Sequence, residues 1–352
     1  MTTRLAFERS VRPACATLAA IAGAGAVVAA YLMAPQAAMA TTLAGFLFLL
    51  GLPLGAMLVL YTHALTGGRW GELAYGPLVA LVATLPLVMV LFLPLAASLP
   101  LLYPWAGPHA AELTFQRGWL RVDFFLLRAV VYGVVWAALA VFAVVRPPTT
   151  GASRPVAAVA LILLVVTGSL AAMDWGMSID PEWQSTSYGA IFLAYAFTSA
   201  IAASLILTLP NHANAPGAVS DLAKLLLVGI AGSAYLAFMQ FLIIWAGNIP
   251  ELVSWYLDRI RDGWIVVFVA IVLAALAIPF FALLSPTVRA GGRVLAAVAA
   301  LVLAGLALRS VWLVGPAFEV DADAPVVAVL TFAGLAALFL ATFSFVWRGR
   351  HG

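Results

Sequence analysis

Arg128 and Arg309 each stand inside a run of apolar residues long enough to cross a bilayer, while Asp123, Asp174, Gln240 and Asn248 stand at the ends of such runs. A charge at the centre of a membrane helix costs at least about 2.5–3.5 kcal/mol, so each arginine needs a counter-charge or a wet cavity. Counting along the runs puts all six groups at one depth, the outer third of the membrane. Asp123 and Arg128 are five residues apart, roughly 140° around a helix, which makes them poor partners. The expectation is therefore pairing between helices, with Asp174 or Asp123 neutralising Arg128 or Arg309. Ser233 and Gln240 are seven residues apart and share a face, and a stripe of that kind bonds a neighbouring helix as readily as a ligand. At the opposite surface, His63 precedes Thr66-Gly-Gly-Arg-Trp-Gly-Glu72, and Asp221 and Lys224 open a later helix. A histidine there can exchange a proton near neutral pH, although an interfacial position alone also accounts for it.

The elements that must position these groups are membrane helices. The chain has 352 residues, of which 65% are hydrophobic and 9% charged, against about 25% charged in an ordinary soluble domain. Apolar runs fall at about 15–34, 42–65, 77–99, 123–145, 156–173, 186–209, 221–246, 264–284, 291–314 and 325–347, each long enough for a tilted span. The predicted fold class is all-α: a polytopic membrane protein of about ten transmembrane helices. With the N-terminus inside, eleven of the 17 Lys and Arg fall in the cytoplasmic tails and loops and four in the opposite ones. Both termini are therefore expected in the cytoplasm. The other face carries Glu112, Asp174, Asp180, Glu182, Glu251, Asp258, Asp262, Glu319, Asp321 and Asp323. The arginine-rich start, apolar run and small residues before Thr41 also imitate a signal peptide cleaved after Ala40, but the run is long enough to span, and Gly23 and Gly25 suit close helix packing.

Trp105-Ala-Gly-Pro108 and Trp245-Ala-Gly-Asn248 repeat a short pattern at the outer ends of the third and seventh spans. A parallel duplication would make two four-helix bundles from helices 2–5 and 6–9, with helices 1 and 10 peripheral. The corresponding divisions are residues 1–41, 42–173, 174–314 and 315–352. Pro86 and Pro94 predict a kink or hydrated gap in the third span. Between the fifth and sixth spans, Trp175 and Trp183 suit the headgroup layer of a tight polar turn. The single cysteine, Cys15, excludes a disulfide framework. Of the four histidines only His63 lies near a span, which leaves no bis-histidine haem site in the bilayer. No glycine-rich phosphate loop stands between a strand and a helix, and the sparse basic residues form no nucleic-acid patch.

Three stretches carry a resemblance: Thr62-His-Ala-Leu-Thr-Gly-Gly-Arg-Trp-Gly71, Asp174-Trp-Gly-Met-Ser-Ile-Asp-Pro-Glu-Trp183, and Ala237-Phe-Met-Gln-Phe-Leu-Ile-Ile-Trp-Ala-Gly-Asn-Ile-Pro-Glu251 with Trp255-Tyr256. Together with Leu101-Leu-Tyr-Pro-Trp105, Gln116-Arg-Gly-Trp119 and Arg128, they resemble the F-type membrane subunit of bacterial alternative complex III, a quinol:cytochrome c oxidoreductase of the respiratory chain. That subunit belongs to the polysulfide-reductase-like (NrfD-like) membrane anchors, and the similarity covers most of residues 42–290. It implies ten helices in two bundles, in the bacterial inner membrane. It also implies a part in assembly and in proton transfer or quinone contact, with electron transport left to other subunits. The implied partners are a related C-type ten-helix anchor holding the quinol site, a multihaem cytochrome c subunit, an iron–sulfur subunit and a terminal oxidase. Haem and iron–sulfur clusters would sit in those partners, with none in this chain and only quinone or quinol in contact with it. By position, Asp174, Arg128 and Gln240 match the family's outer cluster and His63 its inner motif. The chain departs from the family at Ala64 and Glu182, where histidine is common.

A proton route would join an inner set (His63, Glu72, Lys224) to an outer set (Asp174, Asp123, Arg128), and these six with Gln240 and Arg309 are the candidates for proton transfer or quinone contact, yet few protonatable groups lie between. Two other readings are a quinone-binding anchor of another iron–sulfur or molybdenum-type enzyme and a secondary transporter, whose ion sites favour the membrane midplane. A plain scaffold, with Arg128 and Arg309 serving helix packing, fits the same residues.

Overall fold

A computed structural model describes residues 2–107, 118–145, 154–209, 216–318 and 324–351. His109, Glu112, Gln116, His212, Glu319, Asp321 and Asp323, weighed above, lie outside the described residues. In chain order the helices are α1 (Thr2–Met33), α2 (Pro35–Thr66), α3 (Arg69–Val82), α4 (Leu85–Ala97), α5 (Leu99–Leu102), α6 (Val122–Val145), α7 (Arg154–Trp175), α8 (Tyr188–Thr208), α9 (Pro216–Gly247), α10 (Pro250–Asp258), α11 (Trp264–Ile271), α12 (Ile278–Leu284), α13 (Pro286–Arg289), α14 (Arg293–Val314) and α15 (Ala324–His351). Every regular element among the described residues is helical, and ten helical segments are long and apolar enough to span a membrane. The chain is a multi-pass membrane protein of the all-α class.

Two of the ten spans are compound. The third consists of α3 and α4, broken at Ala83–Thr84, where Pro86 has no N–H to return to the Val82 carbonyl. At the break the Leu81 carbonyl accepts both the Thr84 N–H at 3.0 Å and the Thr84 hydroxyl at 2.7 Å. This is the kink anticipated from the prolines. The eighth span runs through α11, a π-helical segment Val272–Ala277 and α12. The wider turn ends just before Pro279, and Gly305 of α14 packs against the backbone of Ala274 and Ala275. π segments of this kind cluster at functional sites.

Helix α2 is the axis. In its most apolar stretch 94% of residues are buried, against 11% for α1, which places one at the centre and the other at the edge. It touches α3, α4, α6, α7, α8, α14 and α15. Gly55 makes the joint with α8 close, because a side chain there would run into the backbone of Ala196. Helix α8 in turn packs on α9 and α14, and α11 and α12 pack on α14. Helix α1 lies along α15 at a mutual glycine contact, Gly23 on Gly334, while Gly25 faces open space. The small residues that imitate a cleavage site lie within α2, with Ala38, Met39 and Ala40 buried.

Candidate functional site

The ionisable groups gather where α7 ends, α6 begins and the segment before α6 folds back. Asp174, in the last turn of α7, is 1% exposed and receives four donors. Arg128 binds it through two nitrogens, Nε to Oδ2 at 2.7 Å and Nη2 to Oδ1 at 2.8 Å. Trp119 Nε1 donates to Oδ1 and the Tyr132 hydroxyl to Oδ2, each at 2.8 Å. The remaining guanidinium nitrogen, Nη1, reaches the Trp119 carbonyl at 3.0 Å, and the guanidinium carbon lies 4.1 Å from the Trp119 ring centre and 4.5 Å from that of Phe124. A fork-to-fork pair with its remaining lone pairs filled is the geometry in which a buried ion pair recovers its desolvation cost. No carboxylate lone pair is left free to accept from a substrate.

The local sequence explains the cluster. Arg128 and Tyr132 are four apart on α6 and share a face. After Asp174 the helix gives way to a tight turn in which Ser178 Oγ donates to the Asp174 carbonyl at 2.5 Å. Trp105 Nε1 holds the Ser178 carbonyl at 3.1 Å and the Tyr103 hydroxyl holds the Trp175 carbonyl at 2.9 Å, tying the turn to the segment after α4. Burial, with the Asp174 charge adding, pushes the Tyr103 phenol well above its usual value, so it stays a donor. The headgroup role expected of Trp175 and Trp183 is overturned: both are buried, Trp175 among Phe46, Phe92, Tyr132 and Trp136. Their indole N–H groups meet no acceptor among the described residues. The echoed tryptophans also differ, since Trp105 is 5% exposed and Trp245 is 67% exposed, on the apolar surface of α9.

A second buried arginine sits at the same end, among α10, α14 and the turn before α8. Arg259, beyond α10, is 3% exposed; its Nη1 and Nη2 bond the carbonyls of Trp255 (3.0 Å) and Leu313 (2.7 Å). Its guanidinium lies 3.6 Å from the Trp255 ring centre, and Trp255 stacks on Trp183 at 4.2 Å and 11°. Trp312 Nε1 closes the arrangement on the Arg259 carbonyl at 3.0 Å. Burial lowers the Arg259 pKa to about 10, against the upward pull of Asp180. The Asp180 carboxyl is raised by its own burial, with the Arg259 charge opposing. A cavity of about 210 Å³ between the two clusters is lined by Trp119, Asp174, Asp180 and Trp183 among others. In the sequence Arg259 reads as a loop charge; the signal for its burial is Trp255, one helical turn earlier.

The other anticipated residues divide. Asp123 pairs with Arg121 at 2.5 Å on the exposed rim and neutralises neither intramembrane arginine. Five residues from Arg128 and at the helix start, it points away from the core, so Asp174 alone provides the counter-charge. Gln240 accepts from Ser185 Oγ at 2.8 Å and donates to the Tyr256 hydroxyl at 3.1 Å. Arg309 lies with its guanidinium 3.9 Å from the Tyr195 ring centre. Gln240, Ser233 and Arg309 all line a cavity of about 620 Å³ between α8, α9, the π segment and α14. At the opposite end, His63 Nε2 is 2.9 Å from the Gly68 carbonyl oxygen, Lys224 pairs with Asp221 at 2.9 Å, and Glu72 is exposed. The inner and outer sets are not brought together. Between them, Thr42, Thr167, Thr198, Ser204 and Thr208 donate to carbonyls of their own helices. Comparison with models of known protein families gave no match, and comparison with curated proteins gave none.

Proposed function

We propose that this chain is an integral membrane subunit of a quinol-oxidising respiratory complex of the alternative complex III type, in which it supports assembly while partner subunits carry the electrons. The observation that supports this reading most is the Arg128–Asp174 cluster. It fixes the loop residues Trp119 and Ser178 to the ends of α6 and α7, and Trp105 and Tyr103 fasten the neighbouring segment to the same turn. A rigid aromatic and charged end of this kind suits a peripheral subunit docking on it. Asp174, with every lone pair occupied, serves here as the lock of that end.

The test is recovery of the tagged chain from its native membranes in mild detergent, followed by mass spectrometry, a haem stain and a quinol oxidation assay. The reading expects a multihaem cytochrome, an iron–sulfur protein and a second ten-helix anchor, with Asp174→Asn losing them while the chain stays in the membrane. Recovery alone, without haem or activity, overturns it. A secondary transporter is the second reading, favoured by the 620 Å³ cavity beside the π segment; solute uptake by the isolated chain in vesicles would put it first.

A further inference from the structure

The three arginines at or near the Asp174 end are compensated unequally. Arg128 has a carboxylate, and Arg259 has two carbonyls and a tryptophan ring. Arg309 has the Tyr195 ring, and makes no hydrogen bond or ion pair with a described residue. Yet it lies well inside its span: Ala317 ends the span eight residues on, roughly 12 Å away at helical rise. Its side chain borders a cavity of about 620 Å³, within the roughly 300–1,000 Å³ range of small-molecule sites.

The polar groups deepest among the lining side chains of α8 and α9 are already occupied, while Asn248 stands at the end of α9. Gln240 uses its oxygen on Ser185 and its nitrogen on Tyr256, and Ser233 and Thr198 face each other at 3.2 Å. One cation without a counter-charge, in walls that are mostly apolar and otherwise neutral, calls for one anion on an apolar body. A neutral carbonyl headgroup would accept hydrogen bonds from Arg309 but leave its charge in the membrane. A polar solute would leave its own groups unpaired against the apolar lining. The outer wall of α9 is lipid-facing, with Phe238 57% and Trp245 67% exposed, so the occupant can enter from the bilayer.

We propose that this cavity holds an anionic phospholipid, its phosphate drawn to the guanidinium of Arg309 and its acyl chain against α9, the π segment and α14. The long arginine stem lets the charge rise toward the headgroup level while the lipid descends along the cavity. The site is independent of the respiratory assignment and would exist equally in a transporter.

The experiment uses the purified full chain, stripped of lipid in detergent, with phosphatidylglycerol and phosphatidylcholine of matched chains as probes and native mass spectrometry as readout. Phosphatidylglycerol should bind about five- to tenfold more tightly, as expected for one arginine acting on one added charge. Arg309→Gln should abolish that preference and Arg309→Lys should keep most of it. Equal binding of the two lipids, an unchanged preference in Arg309→Gln, or displacement of the bound lipid by a short-chain quinone would overturn the proposal. Because a variant can fail to fold, a photoactivatable phosphatidylglycerol is also crosslinked to the unaltered chain. Labelled peptides should map to α9 and α14; labelling confined to other helices, or protection only when a partner protein is bound, would equally reject it.

Discussion

Two buried arginines at one end of this protein are stabilised in different ways. Arg128 is neutralised by a carboxylate that has a bond for every lone pair, and Arg259 rests on two peptide carbonyls and the face of a stacked tryptophan pair. In the first cluster, removing either partner strands a charge. In the second, the groups bonded to the arginine are neutral and Asp180 feels its charge without a bond, so removing the arginine strands mainly dipoles. The first cluster is thus a lock that fails all at once, and the second a packed seat that fails by degrees.

Asp174→Asn should produce the largest effect, a loss of about 3–5 kcal/mol, because Arg128 would stay buried against a neutral amide. Arg128→Met should cost a similar amount by stranding Asp174. The double variant Arg128→Met, Asp174→Leu should recover most of it, since a well-packed apolar pair replaces a buried ion pair at little cost. Reversible unfolding in mixed micelles measures all three, and simple additivity would break the comparison at its root.

Trp255→Leu comes next, at about 2–3 kcal/mol, combining a desolvated cation–π contact with the loss of the Trp183 stack. Arg259→Met should cost less than Arg128→Met, about 1–3 kcal/mol, since two carbonyls lose a donor but no carboxylate is left alone. If the two arginine variants cost the same, charge compensation is not what distinguishes the clusters.

The difference between the clusters was only half legible in the sequence. Helical class, ten spans and the break before Pro86 follow from composition, run length and one missing N–H, which are local properties. Arg128 with Tyr132 is likewise a spacing of four, and Asp174 at the end of an apolar run needed a cation. The choice of Asp174 over Asp123 was not legible. It depends on the rotation of α6 against α7, and both acids stand at helix ends when only positions are counted. Arg259 was missed because a short segment between spans looks like a loop from its charges, while its burial comes from α14 supplying Leu313 and Trp312 from more than 50 residues away. Trp175 and Trp183 were placed at the headgroups by residue type; their neighbours are aromatic rings from distant helices, which one-dimensional patterning does not report.

Acidity separates the clusters by a smaller amount. Burial raises the Asp180 carboxyl, so the folded chain holds its proton to higher pH than the unfolded chain, whose carboxyl titrates near about 3.9. Its contribution is therefore fully present below the unfolded value and lost as pH rises through the folded one. Asp180→Asn should remove that loss, leaving the variant relatively more stable than the parent above the folded value and equal to it in stronger acid. Thermal unfolding across that window reads the effect, and an opposite slope would mean that the Arg259 charge outweighs desolvation at Asp180.

The smallest effect belongs to the far end. His63 makes one half-exposed bond to the Gly68 carbonyl and lies edge-on to Trp70 at 5.0 Å. His63→Gln should therefore cost under about 1 kcal/mol, within the range of a single net hydrogen bond. The alpha hydrogens of Gly71 face the same ring, so a side chain there would collide with it. Gly71→Ala should be destabilising in the parent and relieved when His63 is alanine, a coupling that marks the motif as a local loop closure. A stability effect this small leaves proton release by the complex proposed above, in sealed vesicles, as a clean readout. If His63→Gln slows it while the fold is intact, the histidine acts chemically at this end. If release is unchanged, its part is to shape the turn between α2 and α3, and Asp174 and His63 belong to two separate structural devices, one at the end of α7 and one at the end of α2.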